Sequence, residues 1–416
     1  MTLQAASLAA RLSIVAVLLL SDSPLPAADW PHMLGPNRDG QSTETGLNWT
    51  WGANGPPIAW SLDVGTGFAG VSVANGRVFL FHRIGDDEIL TALEPATGKE
   101  TWKYTARTRY RDEFNFDNGP RCVPAVAGSR VFALGPNGDF HAVDEKTGKG
   151  IWTRNLLTDY KVTKGYFGVG AGPIVVGDRV LVNVGGRGAG IVAFDVATGK
   201  ELGKATDDPA SYSSPTLMEI GGKPAGVFFT RTGLVVIDPV TMAVKHTKYW
   251  RARLDASVNA ATPLVRDGDI FLTASYATGA TRLRFKPGTE EPDEVWANDK
   301  SLSSQYNTPV FVGDFLYGID GRADGGGARL RCVEWATGAV KWSKDGFGCA
   351  SVMAVDGGLL ALTQDGELVR FDADSKLYTE RARAKVLDAP SRAAPALSDG
   401  RLFIRDEKKL VCVKLK

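Results

Sequence analysis

The sequence predicts an all-β fold, an eight-bladed β-propeller of four-stranded antiparallel blades whose last blade is closed by an N-terminal strand. Three observations lead there. A phrase of the form Pro-apolar-apolar-x-Gly-x-Arg-Val recurs at 124–131 (PAVAGSRV), 173–180 (PIVVGDRV) and 395–402 (PALSDGRL), with looser copies starting at Val71, Pro215, Pro263, Pro309 and Val352. The eight starts lie 42 to 53 residues apart, about 46 on average, which is the length of one propeller blade. Glycine (48) and proline (21) fill roughly a sixth of the 416 residues, above the ~12% of an average chain, as many tight turns require.

The elements follow in chain order. Residues 1–28 read as an export signal. Arg11 precedes a run of nine nearly all apolar residues at 12–20 (LSIVAVLLL), and the segment ends in Pro26-Ala27-Ala28. Nine residues are too few to span a bilayer, which takes about 20, but they suit a signal core. Residues 29–56 read as an irregular strap against one face, and 57–416 as a single propeller. The second copy shows the unit: strands at 125–127 and 130–134, a Pro136-Asn137-Gly138 turn, a strand at 140–143, a Lys146-Thr147-Gly148 turn and a strand at 151–154. Turn signals every 8–12 residues leave no room for helices of three turns. The last copy has only three strands. Its fourth is expected from Ile58-Ala59-Trp60-Ser61, which would close the ring and cover two sheet edges.

The charge balance of 48 basic to 47 acidic residues gives no basic stripe for nucleic acid. No other segment approaches a membrane span. The first cysteine is Cys122, so no lipid-attachment cysteine follows the apolar run. A periplasmic or secreted monomer is expected.

Inside the copies, 92–102 (ALEPATGKETW) and 142–152 (AVDEKTGKGIW) place Ala, Gly and Trp at relative positions 1, 7 and 11. An indole buries some 150–250 Å², and a small side chain with a bare glycine backbone gives it a surface to stack on. Ala92, Gly98 and Trp102, Ala142, Gly148 and Trp152, Gly338 and Trp342, and Trp60 are therefore read as structural docks. This spacing resembles the tryptophan-docking repeat of the PQQ-like propeller family, which includes quinoprotein alcohol dehydrogenases and BamB-like assembly factors. The resemblance covers about 360 residues. The opening at 30–40 (WPHMLGPNRDG) is similar to that of secreted members. Three copies depart from the pattern, with Gly203, His246 and Glu380 where tryptophan belongs.

The chemistry of the quinoprotein enzymes is thinly represented. Cys332 and Cys412 fall where alanine stands in the dock, and Cys122 and Cys349 precede inner strands. The chain has neither the adjacent cysteine pair of many quinoprotein dehydrogenases nor a C-x-x-C-H haem motif. His32, His82, His141 and His246 lack metal-ligand spacing, and the 320–325 loop (DGRADG) has arginine where a calcium ligand is needed. No metal site and no cofactor are expected.

Propellers bind where outer strands cross to the next inner strand. Those crossings contain Arg109, Asp117, Asn118, Arg121, Tyr166, Phe167, Tyr212, Asn259, Gln305, Tyr306, Asn307 and Arg392. Arginine forks and aromatic faces suit an anionic or planar polar ligand. The first reading is an exported, non-catalytic binding or scaffold propeller that meets an envelope protein or polymer on the channel face. The alternatives are an alcohol or sugar dehydrogenase that uses pyrroloquinoline quinone (PQQ) with calcium, and a carbohydrate-binding propeller. For the enzyme, Asp117 is the nominated proton acceptor, with Asn118 and Asn259 beside it for calcium.

Overall fold

Inner and outer strands differ in sequence because they meet different surroundings. The first strand of blade one, Val71–Ala74, is buried throughout, whereas the fourth, Glu100–Arg107, alternates exposed and covered residues. We label Ile58–Asp63 β1, Val71–Ala74 β2, Arg77–Ile84 β3, Asp87–Leu93 β4 and Glu100–Arg107 β5. The computed structural model describes residues 29–416 except 53, 164–167, 253, 255, 256, 287 and 290. The proposed signal at 1–28, Tyr166 and Phe167 lie outside the described residues.

Eight antiparallel four-stranded sheets form the ring, each except the last in sequential order. In the eighth, β1 pairs antiparallel with the strand Lys409–Lys414, Trp60 opposite Cys412. Neighbouring inner strands touch around a central channel. Turns between first and second strands use residues that tolerate positive φ: Asn75 and Gly76 sit at 51° and 71°, the type I′ geometry that matches strand twist. These turns lie on one face of the ring, and the crossings between blades lie on the other.

Each dock joins two blades. Trp102 sits opposite Ala92 in its own blade but stacks on Gly148 of the next, where an added Cβ would lie 2.6 Å from the ring. Its indole N–H donates to the Glu145 carbonyl at 3.0 Å. Trp152 does the same with Gly199 and Val196, and Trp296 with Gly338 and Trp335. Trp342 donates to the Asp374 carbonyl. Trp60 stacks on Gly98 and bonds Pro95, so the latch strand ties blade eight to blade one.

This geometry explains the departures. Where tryptophan gives way to Gly203, the docking glycine of the next blade is replaced by Met242 at φ 61°. A Cβ on Gly203 would lie 2.8 Å from the Met242 side chain. The large group has moved from one blade to its neighbour. His246 packs edge-on against Phe285 and meets Glu291 at 2.8 Å. Glu380 faces a blade whose fourth strand is β1, so no turn joins its third and fourth strands and there is nothing for an indole to stack on. Glu380 pairs instead with Arg383. Gly203→Trp alone is expected to cost about 1–3 kcal/mol through overpacking, and Met242→Gly added to it should recover most of that loss. Urea melts of the four proteins should give a coupling energy above ~1 kcal/mol.

All four cysteines are free and buried, Cys332 and Cys412 lying opposite Trp342 and Trp60. The strap crosses the turn face. Trp30 pairs with Val73, Gly40 and Ser42 bond Ala354, and Asn48 bonds Leu415. From it the buried Arg38 guanidinium reaches the carbonyls of Pro173 at 2.8 Å and Pro215 at 3.2 Å. It thus caps backbone of blades three and four inside the channel. Among the described residues no helix is long and apolar enough to cross a membrane.

Candidate functional site

The crossings converge on a cup of about 260 Å³ at the channel mouth. Of the nominated residues, Arg121, Tyr212, Gln305, Tyr306 and Arg392 line it. Phe68, Asp112, Phe116, Tyr276 and Asp324 join them, and Met33 reaches it from the strap. Asp112 and Phe116 lie in the 107–121 crossing, which mixes arginines, acids and aromatics. Tyr276 and Asp324 sit on turns between second and third strands, which open on the same face but carry no crossing signal.

Other nominated residues build the loops instead. The Asp117 carboxylate accepts the backbone N–H of Gly67 at 3.0 Å and that of Gly119. Asn118 accepts from the Asp112 backbone at 2.8 Å. Asn259 is 1% exposed and donates to the carbonyls of Thr230 and Trp250. Asn307 lines a smaller cavity shared with the strap, and Arg109 is exposed.

Arg121 is locked from several sides. It pairs with the buried Asp112 carboxylate, donates to the carbonyls of Gly119 and Asp117, and lies 5.2 Å above the Tyr110 ring. Arg322 pairs with Asp324 at 3.0 Å and stacks on Tyr276 at 4.4 Å. Arg392 lies over Phe68 at 4.9 Å and Phe116 at 5.6 Å. Burial pushes the Tyr212 and Tyr306 hydroxyls well above the usual phenol range; Tyr306 donates to Gln364 at 3.3 Å.

The three donors nominated for calcium are engaged elsewhere in the loops. Calcium takes six to eight oxygens, yet Asp117 and Asn118 are already engaged by backbone N–H groups, and the Asn259 side chain is buried on backbone carbonyls. Among the described residues no group of three or more histidine, cysteine, aspartate or glutamate side chains could hold a metal.

Residues 85–344, well over half of the chain, match the family model of the outer membrane protein assembly factor BamB. This chain belongs to that family. The BamB-family propeller also resembles BamB from Moraxella catarrhalis, with a TM-score of 0.63 at 15% identity over 86% of this chain and 98% of that one. It resembles quinohemoprotein alcohol dehydrogenase from Comamonas testosteroni with a TM-score of 0.65 at 14% identity, over 94% and 81%. In sequence it is 31% identical over 178 residues to quinohemoprotein alcohol dehydrogenase ADH-IIG of Pseudomonas putida. That match takes in 40% of this chain and spans only 24% of the relative. The solved structures establish a shared fold, on enzymatic and assembly proteins alike.

One buried acid of the BamB-family chain lies close to the cup. Glu88, on β4, is 1% exposed. Burial, reinforced by the charge of Asp139, raises it to about 7 from the usual 4.5, against the pull of Thr108, Arg83 and Arg121. The folded chain therefore keeps a proton that the unfolded chain has lost between those values. This contribution favours folding below about 4.5 and declines as pH rises toward 7. Buried His32, His82 and His141 have lowered values and act in the opposite sense. The stability difference between wild type and Glu88→Gln isolates the carboxyl. It should move by about 3 kcal/mol against the wild type from pH 4.5 to 7, measured by urea melts at each pH.

Proposed function

We propose that this chain is an exported, non-catalytic propeller that serves as a binding or scaffold protein of the cell envelope, meeting a protein or polymer ligand on its crossing face. The observation that carries this reading is the division of labour at the channel mouth. The carboxylate and amides nominated for a metal hold the loops together, while the cup is lined chiefly by aromatic rings, with Gln305, Asp324, Arg392 and the Arg121–Asp112 pair among them. Arginine forks and aromatic faces are groups that recognise a ligand. Membership of the BamB family supports the same reading, as does the envelope setting named in that family's description.

The enzyme reading has in its favour the partial sequence matches to two quinohemoprotein alcohol dehydrogenases. A fluorescence titration of the purified chain with pyrroloquinoline quinone, with and without calcium, followed by a dye-linked alcohol assay, separates the two readings. No saturable calcium-dependent quenching at tens of micromolar is expected. Quenching that needs calcium, accompanied by turnover, would overturn the proposal.

A further inference from the structure

Three cationic side chains surround the cup, and two are neutralised in place: Arg121 by Asp112 and Arg322 by Asp324. Arg392 is different. Its guanidinium is held over the faces of Phe68 and Phe116, and its buried Nε–H has no acceptor. Among the described residues it enters no ion pair. Glu407 feels its charge from beyond ion-pair distance. A guanidinium fixed over aromatic faces keeps its in-plane donors available for an anion. Ordering an unpartnered donor in an apolar cup is costly unless a ligand completes it.

We infer that the cup binds a compact aromatic monocarboxylate, its carboxylate taken by Arg392 and its ring received among Phe68, Tyr212, Tyr276 and Tyr306. This rests on the reading of the crossing face as a binding surface. Size and charge set the class. A volume of about 260 Å³ lies below the range of about 300–1,000 Å³ typical of drug-sized ligands, so it suits a compact ligand such as a single-ring acid. With a single uncompensated cation, a second carboxylate would face Asp112 or Asp324 and be repelled. Two sources share this chemistry: a free single-ring acid, or the C-terminal aromatic residue of a partner chain.

Calorimetry on the full chain tests it with phenylacetate, N-acetyl-L-phenylalanine and a ten-residue peptide ending in phenylalanine, each beside its neutral amide. The acids should bind, and the amides at least tenfold more weakly, as loss of a charge-assisted hydrogen bond implies. Arg392→Gln should lower acid affinity at least tenfold while leaving amide affinity and the unfolding midpoint unchanged. Phe68→Leu, which keeps the charge, should weaken aromatic acids several-fold and serves should the arginine variant fold poorly. A peptide at least tenfold tighter than N-acetylphenylalanine supports the inference with a chain terminus as the source, and equal affinities support it with a free acid. No binding of any acid at about 10 mM, equal binding of acid and amide, or indifference to Arg392→Gln would overturn it. Failure here, without quinone binding, leaves the proposed function standing. Calcium-dependent quinone turnover would remove both.

Discussion

Trp60→Ala is expected to destabilise the folded ring by about 3–5 kcal/mol, the usual range for removing a large buried aromatic. The indole is 9% exposed, touches Phe403 with ring centroids 5.9 Å apart, and donates to the Pro95 carbonyl at 2.9 Å. Truncation leaves a void against Gly98 and an unmade hydrogen bond across the contact between blades eight and one. Folded proteins hold only about 5–15 kcal/mol in reserve, so the loss is a large part of the total. Urea denaturation should show a lower midpoint at an unchanged slope. A cost below ~1 kcal/mol would mean that the latch contributes little to closure.

Asp112→Ala acts on the cup. The aspartate pairs with Arg121 and also accepts the Phe114 N–H at 2.8 Å. Removing one partner of a buried pair typically costs about 3–5 kcal/mol, because the remaining charge is left without compensation. Here the chain can escape part of that cost by opening the 107–121 crossing and exposing Arg121 to water, a local transition below the global one. Limited trypsin digestion should therefore cut at Arg109, Arg111 or Arg121 much faster than in wild type, by tenfold or more, while the thermal midpoint falls less than the full penalty. Unchanged cleavage would show that the crossing does not depend on this pair.

The repeat made the architecture readable. Proline-led phrases and Thr-Gly turns recur in sequence because each blade solves the same packing problem, and the incomplete eighth copy identified β1 as its fourth strand. The direction of docking was less accessible, because the spacing of Ala, Gly and Trp within one copy does not reveal that the glycine serves the preceding blade. Met242 and Glu380 make sense only once that offset is known. The site was legible in part. Arg121, Tyr212, Gln305, Tyr306 and Arg392 were found because they occupy crossings. Asp117 and Asn259 look like ligands in sequence for the same reason they make good loop braces: short polar side chains bond nearby backbone. Tyr276 and Asp324 sit on turns that a search of crossings passes over, and Met33 arrives from a segment with no repeat to place it.

The strap acquires a further meaning from where its bonds fall. Blade eight is the seam of the ring, held by strand pairing where other blades have continuous chain. Strap contacts to Ala354, Gly400 and Leu415 lie on blades seven and eight, and those to Val73 and Val126 lie on one and two. One short segment thus splints both sides of the seam. If the seam parted, β1 and the strap would come away as a single arm, free to insert into the open blade of another copy, so the same contacts that brace the ring also guard it against exchange of arms between molecules.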